Sequence, residues 1–280
     1  MIIDFHTHIF PDAVCLDRGK FFPGEPSFKL LYDSPGAKLV GAEDLIRSMD
    51  RQEVDLSVVF GFPWKDGELS KSNNDCVLEA VARFPQRLKG FACFDMAWEG
   101  AAAEAERCIR AGLSGVGELA FYLSGIDDEA LARLEPVMAV CRQRGNLPVM
   151  VHTNEPVGHK YPGKTPVTLE QIYALACRFP ENRIVLAHWG GGVLFYNLLK
   201  KEAKKVLRNV WFDTAASPFL YDPEVYRCAA AAGCGDKVLF GTDFPLLEPS
   251  RYYKDLDASG VSGETRRQIL GGNAVELLWP

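Results

Sequence analysis

The sequence predicts an α/β chain built as one (β/α)8 barrel, on three observations. Short apolar runs alternate with longer amphipathic stretches, the runs number eight, and polar residues of one chemical kind collect at the runs' C-terminal ends. The runs are Ile2 to His8, Leu56 to Phe62, Leu88 to Asp95, Ser114 to Ala120, Pro148 to Thr153, Arg183 to Trp189, Val210 to Ala215 and Val238 to Asp243. Each is rich in Val, Ile, Leu or Phe, as strands buried on both faces of a parallel sheet require, and eight such units close a barrel.

Between the runs lie helix candidates at Ala42 to Gln52, Lys71 to Phe84, Ala101 to Ala111, Asp128 to Arg144, Thr168 to Phe179, Gly192 to Leu207, Pro223 to Ala232 and Ser262 to Leu278. Asp127 and Ser262 are suited to cap helix starts, Gly145 follows one helix and Pro180 another. Residues 9–41, rich in Pro, Gly and Phe, and residues 154–167 read as long loops after the first and fifth strands, on the face where barrel active sites lie. No repeat, low-complexity tract or linker divides the 280 residues, so a single TIM-barrel domain over 1–280 is expected.

Composition narrows the function classes. The net charge of -6 is dispersed, which argues against a nucleic-acid partner, and no apolar run is long enough for a membrane span. A small-molecule substrate is the simpler expectation, with a homo-oligomer left open. The start, Met-Ile-Ile-Asp-Phe-His, has no basic or apolar signal pattern, and the eight scattered cysteines form no Cys-x-x-Cys pair. Reduced thiols in a cytoplasmic protein follow as the expectation.

His6 and His8 sit two apart on a predicted strand, so both can face the barrel interior and chelate one ion. A lone His-x-His is a weak signal. Its context strengthens it: His152 ends the fifth run, His188 the sixth and Asp243 the eighth, placing four of five histidines at strand ends that converge on one mouth. Imidazole and carboxylate suit zinc and its first-row neighbours, and zinc is the expected ion, one or two per chain.

Glu118 ends the fourth run, where it can bridge to a second ion or orient a ligand by hydrogen bonding. His188 has two duties open to it, ligand of that second ion or base beside a single one, and Asp243 can both hold metal and collect a proton. In the loop after strand five, His159, Tyr161 and Lys164 can hold an anionic substrate group, or form a solvated turn. Trp64, Trp189, Phe219 and Phe244 follow strands and are candidates for pocket walls or plain packing.

These motifs, with Ala187-His188-Trp189-Gly190-Gly191, Gly241-Thr242-Asp243-Phe244-Pro245 and the ending Ile269-Leu270-Gly271-Gly272-Asn273-Ala274, resemble the amidohydrolase superfamily over essentially the whole chain. The likeness is greater to its amidohydrolase-related branch, which includes aminocarboxymuconate-semialdehyde decarboxylase-like enzymes. The resemblance implies metal binding by His6, His8, His152 and Asp243, with His188 binding a second metal or moving protons. The chain departs from many binuclear members in having no lysine in its fourth run; Glu118 is similar instead to the bridging Glu of TatD-like subgroups. The first expectation is therefore a metal-dependent hydrolase that opens an amide, ester or lactone of a small anionic molecule with metal-activated water. The alternative is a non-hydrolytic decarboxylase of an aromatic or unsaturated acid, and a third reading is a metal-binding sensor without catalysis.

Overall fold

A computed structural model describes residues 1–279. Its eight strands are β1 (Ile3–His8), β2 (Leu56–Phe60), β3 (Leu88–Ala92), β4 (Gly115–Leu119), β5 (Val149–Val151), β6 (Ile184–Leu186), β7 (Val210–Asp213) and β8 (Val238–Leu239). They form one parallel sheet in sequential order. The ring closes through backbone bonds between the last and first strands: Phe5 N donates to Phe240 O at 2.7 Å, and Asp243 N to His6 O at 2.9 Å. The chain is a TIM barrel.

Inward residues of the strands (Phe5, Phe60, Phe91, Met150, Val185 and Leu239) fill the ring, while outward ones such as Val59, Val149, Leu186 and Phe212 pack on the surrounding helices. That alternation is the period-2 geometry of strands. It breaks at two places. The β1–β2 register slips between Asp4 and Thr7, and the β4–β5 register slips between Val116 and Leu119. Each slip inserts one residue into a strand and reverses which side chains face inward. The first lets Phe5 and His6 both belong to the interior; the second turns Glu118 inward although Val116 and Leu119 face the helices. Gly117, at φ 129°, makes the second slip feasible, because a Cβ there would run into the Met150 carbonyl.

Several expectations need correction. Residues 9–41 are not structureless: they hold helices Asp12–Leu16 and Pro26–Tyr32 and a tight turn at Arg18–Phe21. Phe10 and Phe28 of this segment cluster with Phe62 and Trp64, so its aromatic content orders what reads in the sequence as a long loop. The helix expected over Gly192 to Leu207 shortens to Lys201–Val206; positive φ at Trp189 to Gly192 precedes it, and the chain runs in tight 3-10 turns as far as Leu198. The final helix is three pieces, Gly263–Arg267, a wide turn at Gln268–Gly272 and Asn273–Leu278, and a helix at Pro249–Ala258 was not anticipated. Among the described residues no helix is long and apolar enough to cross a membrane.

Candidate metal centre

β1 delivers His6 and His8, β4 delivers Glu118, and His152, His188 and Asp243 lie just beyond the ends of β5, β6 and β8. All six meet at the barrel mouth. His6 Nε2 lies 3.3 Å from His8 Nε2, 3.7 Å from Glu118 Oε2 and 3.6 Å from Asp243 Oδ1; His8 Nε2 is 3.2 Å from the same Asp243 oxygen. On the other side, Glu118 Oε1 is 2.9 Å from His152 Nδ1 and 3.5 Å from His188 Nε2, and those two nitrogens are 3.2 Å apart. Glu118 thus faces two sets of histidines with separate oxygens.

Each ring spends its other nitrogen on an outer acceptor. His6 Nδ1 donates to Asp213 Oδ2 at 2.9 Å, His8 Nδ1 to Gly61 O at 3.0 Å, His188 Nδ1 to Ala215 O at 3.0 Å and His152 Nε2 to Gly163 O at 2.9 Å. Those bonds select the tautomer whose lone pair points to the centre, the arrangement that histidine ligands of metals show. Three overlapping triads, His6–His8–Glu118, His6–His188–Asp243 and Glu118–His152–His188, bring single donor atoms within 4.8 Å of one another. The buried donor set fits a divalent first-row cation in both chemistry and spacing.

Asp213, at the end of β7 and fully buried, was missed in the sequence. It accepts from His6 Nδ1 and from the backbone N–H of His188 and Ala215, so one carboxylate orients two of the site histidines. The signal was present: Val210-Trp211-Phe212-Asp213 ends an apolar run in a polar residue, as the other runs that reach this cluster do.

Without a cation the charges settle among themselves. Burial drives the His6 ring toward its neutral form, but Asp213, Glu118 and Asp243 outweigh burial and lift its pKa to about 10. Burial likewise opposes ionisation of Glu118, yet His152 and His6 hold its carboxyl well below the usual range. Asp243 is lowered against burial by His8, His6 and His188, and His188 is raised against burial by Glu118 and Asp243. A proton on His6 occupies the electrostatic place of the cation. His188 and Asp243 also take left-handed backbone, with φ of 55° and 61°, a conformation that costs a non-glycine residue about 1–3 kcal/mol. Such strain persists where surrounding contacts impose it, here the bonds that His188 N donates to Asp213 Oδ1 and Asp243 N donates to His6 O.

The centre forms the floor of a pocket of about 820 Å³. His159 and Tyr161 line it, but Lys164 does not: its ammonium meets Glu155 Oε1 at 2.7 Å, and Tyr161 Oη donates to the other Glu155 oxygen, also at 2.7 Å. Of the aromatic wall candidates only Phe219 lines the pocket; Trp64, Trp189 and Phe244 are buried as packing. The aromatic walls are Tyr32, Phe62 and Tyr122 instead. Tyr32 arrives from the folded segment after β1, whose docking no local pattern revealed.

Solved structures of similar fold cover nearly the whole chain. A dihydroxybenzoic acid decarboxylase from a Polaromonas species, with bound manganese and the inhibitor 2-nitroresorcinol, is 20% identical with a TM-score of 0.67, over 99% of this chain and 96% of that one. A 5-carboxyvanillate decarboxylase from Novosphingobium aromaticivorans, complexed with manganese and 4-hydroxy-3-methoxy-5-nitrobenzoic acid, is 15% identical with a TM-score of 0.75 and the same coverages. A probable 2-pyrone-4,6-dicarboxylic acid hydrolase from Acinetobacter baumannii, with citric acid bound, is 17% identical with a TM-score of 0.60, over 99% and 98%. No curated protein sequence matches the chain. The amidohydrolase family model matches residues 3–278, and the chain belongs to that family of metal-dependent enzymes.

Proposed function

We propose that this protein is a metal-dependent, non-hydrolytic decarboxylase of an aromatic carboxylic acid. The observation that carries the reading is the aromatic wall of the pocket: Phe62 and Tyr122 stack on each other, 6.0 Å apart at 6°, Tyr32 lies 5.9 Å from Phe62, and all three line the same pocket as the ligand cluster, so a flat ring entering it meets aromatic side chains. The names carried by most of the similar structures support it, since they are decarboxylases of aromatic acids. Hydrolysis, the first expectation from sequence, draws its support from Glu118 facing both histidine sets and from the single hydrolase among those structures named above.

His6, His8, His152 and Asp243 would hold the ion, with Glu118 beside them. Manganese is the ion named with both of the decarboxylase structures described above, whereas zinc was expected from the ligand types alone. A bound divalent cation supplies a Lewis acid that orients the substrate's oxygens and draws off charge as it develops. The chain's own groups do the rest. Tyr32, Phe62 and Tyr122 orient the ring and keep water from its faces. His188, its Nδ1 bonded to Ala215 and its pKa raised against burial by Glu118, has a proton to give at Nε2 when its ring is charged. As the bond between ring and carboxyl breaks, the electron pair stays on the ring carbon and takes that proton, and carbon dioxide leaves.

The test is a panel on manganese-loaded and zinc-loaded protein. Carbon dioxide released in step with a decarboxylated arene is the expected result. Opening of lactones or esters without carbon dioxide would overturn the reading in favour of hydrolysis.

A further inference from the structure

We infer that Glu155 is a positioning residue for the metal centre: through Lys164 and Tyr161 it ties down the loop 154–167, and the loop's Gly163 carbonyl in turn fixes the His152 ring. The inference rests on His152 being a metal ligand, as the proposed function has it, and not on which reaction follows.

The four site histidines differ in what holds them. The acceptors of His6, His8 and His188 are Asp213 Oδ2, Gly61 O and Ala215 O, all at or just past the ends of β7 and β2, where the closed ladder fixes the backbone. The acceptor of His152 Nε2 is Gly163 O at 2.9 Å, out in the loop after β5. Gly163 has a φ of 96°, an angle that favours glycine, with open space where a Cβ would stand. No strand therefore determines where that carbonyl lies.

What determines it is the fastening of the loop to itself. At its base Asn154 Oδ1 accepts from Thr165 N at 2.8 Å and from Thr165 Oγ1 at 2.6 Å. Glu155 then accepts from Lys164 Nζ on one oxygen and from Tyr161 Oη on the other, both at 2.7 Å, and the same ammonium donates to Val157 O. Gly163 lies between the two residues that Glu155 grips. The ion pair is sheltered, with the Lys164 and Glu155 side chains 11% and 18% exposed, so salt and water screen it far less than a surface pair. Burial opposes ionisation of Glu155, yet Lys164 and Tyr161 hold its carboxyl below the usual range. Cutting this knot frees the carbonyl, and an imidazole without its outer acceptor loses both its tautomer and its aim. Glu155, Tyr161 and Gly163 also line the pocket, so the wall that a substrate meets is the one that sets the hold on the cation.

The test is calorimetric titration of manganese into metal-stripped parent, Glu155→Ala, Lys164→Met, His152→Ala and Glu155→Ala/His152→Ala, with circular dichroism confirming the fold of each. Glu155→Ala and Lys164→Met are each expected to weaken manganese binding about tenfold, and Glu155→Ala to add nothing once His152 is gone. A mere through-space effect of charge has a different signature: it weakens binding in Glu155→Ala and strengthens it in Lys164→Met, which carries one cation fewer. Stronger binding by Lys164→Met would therefore overturn the inference, as would a loss in Glu155→Ala that persists in full without His152. Unchanged affinity in Glu155→Ala and Lys164→Met beside a large loss in His152→Ala would sink the positioning role alone. Full affinity in His152→Ala would remove that ligand from the metal centre, and the inference with it.

Discussion

The two ends of this barrel obey opposite rules. At the closed end Phe5 meets Phe91 edge to face at 5.8 Å, and Met150, Val185 and Leu239 fill the space around them, all fully buried. At the mouth, a few residues further along the same strands, four histidines and the carboxylates of Glu118 and Asp213 are withdrawn from water, with Asp243 partly so, two strands slip register, and His188 and Asp243 leave the right-handed regions. The closed end gains stability from apolar burial. The mouth concentrates desolvated charge that only a cation or a proton balances. The fold can place such a cluster because the apolar half of each strand holds the ladder while its polar end is displaced.

The sharpest way to break this comparison is at the mouth. The double variant His6→Ala/His8→Ala is expected to purify with under about a tenth of the parent's metal and to lose turnover, while its metal-free thermal midpoint stays at or above that of the metal-free parent. Stoichiometric metal in that variant, measured by elemental mass spectrometry, would remove the metal centre altogether. The complementary change at the closed end, Phe91→Ala, is expected to cost about 3–5 kcal/mol of stability by denaturant titration, with metal content and turnover per folded molecule preserved. If it lost metal first, the two ends would not be separable.

A subtler change sharpens the boundary. Asp213→Asn keeps the size of the group but weakens its hold on the His6 ring, and metal affinity is expected to fall about 10–100-fold with little change in folding stability. An unchanged affinity by metal titration would mean that His6 needs no orienting partner. Smallest is the pH effect. Because His6 is raised to about 10 in the metal-free chain, its ring holds a proton at neutral pH that an entering cation must displace. Affinity is therefore expected to rise with pH, by about tenfold per unit for each proton released, and to weaken on acidification. A flat profile between pH 6 and 8 would contradict the charge arrangement at His6.

Much of this was legible in the chain itself. Eight apolar runs with intervening amphipathic stretches determined the barrel, because burial on both faces of a parallel strand leaves a pattern that no neighbour can erase. His6, His8, Glu118, His152, His188 and Asp243 were visible because each ends a run, and strand ends in a barrel converge. What the tertiary structure alone decided is how those ends are turned. Strict alternation from Phe5 would have pointed His6 outward, and from Val116 would have done the same to Glu118; the register slips that bring both inward depend on neighbouring strands. Asp213 as the partner of His6, Lys164 drawn to Glu155, and Tyr32 brought over the mouth from residues 9–41 are pairings across 207, 9 and tens of residues. Local periodicity reports only which side of its own element a residue favours, whereas an orienting hydrogen bond or a docked aromatic segment is selected by whatever the closed barrel sets opposite it.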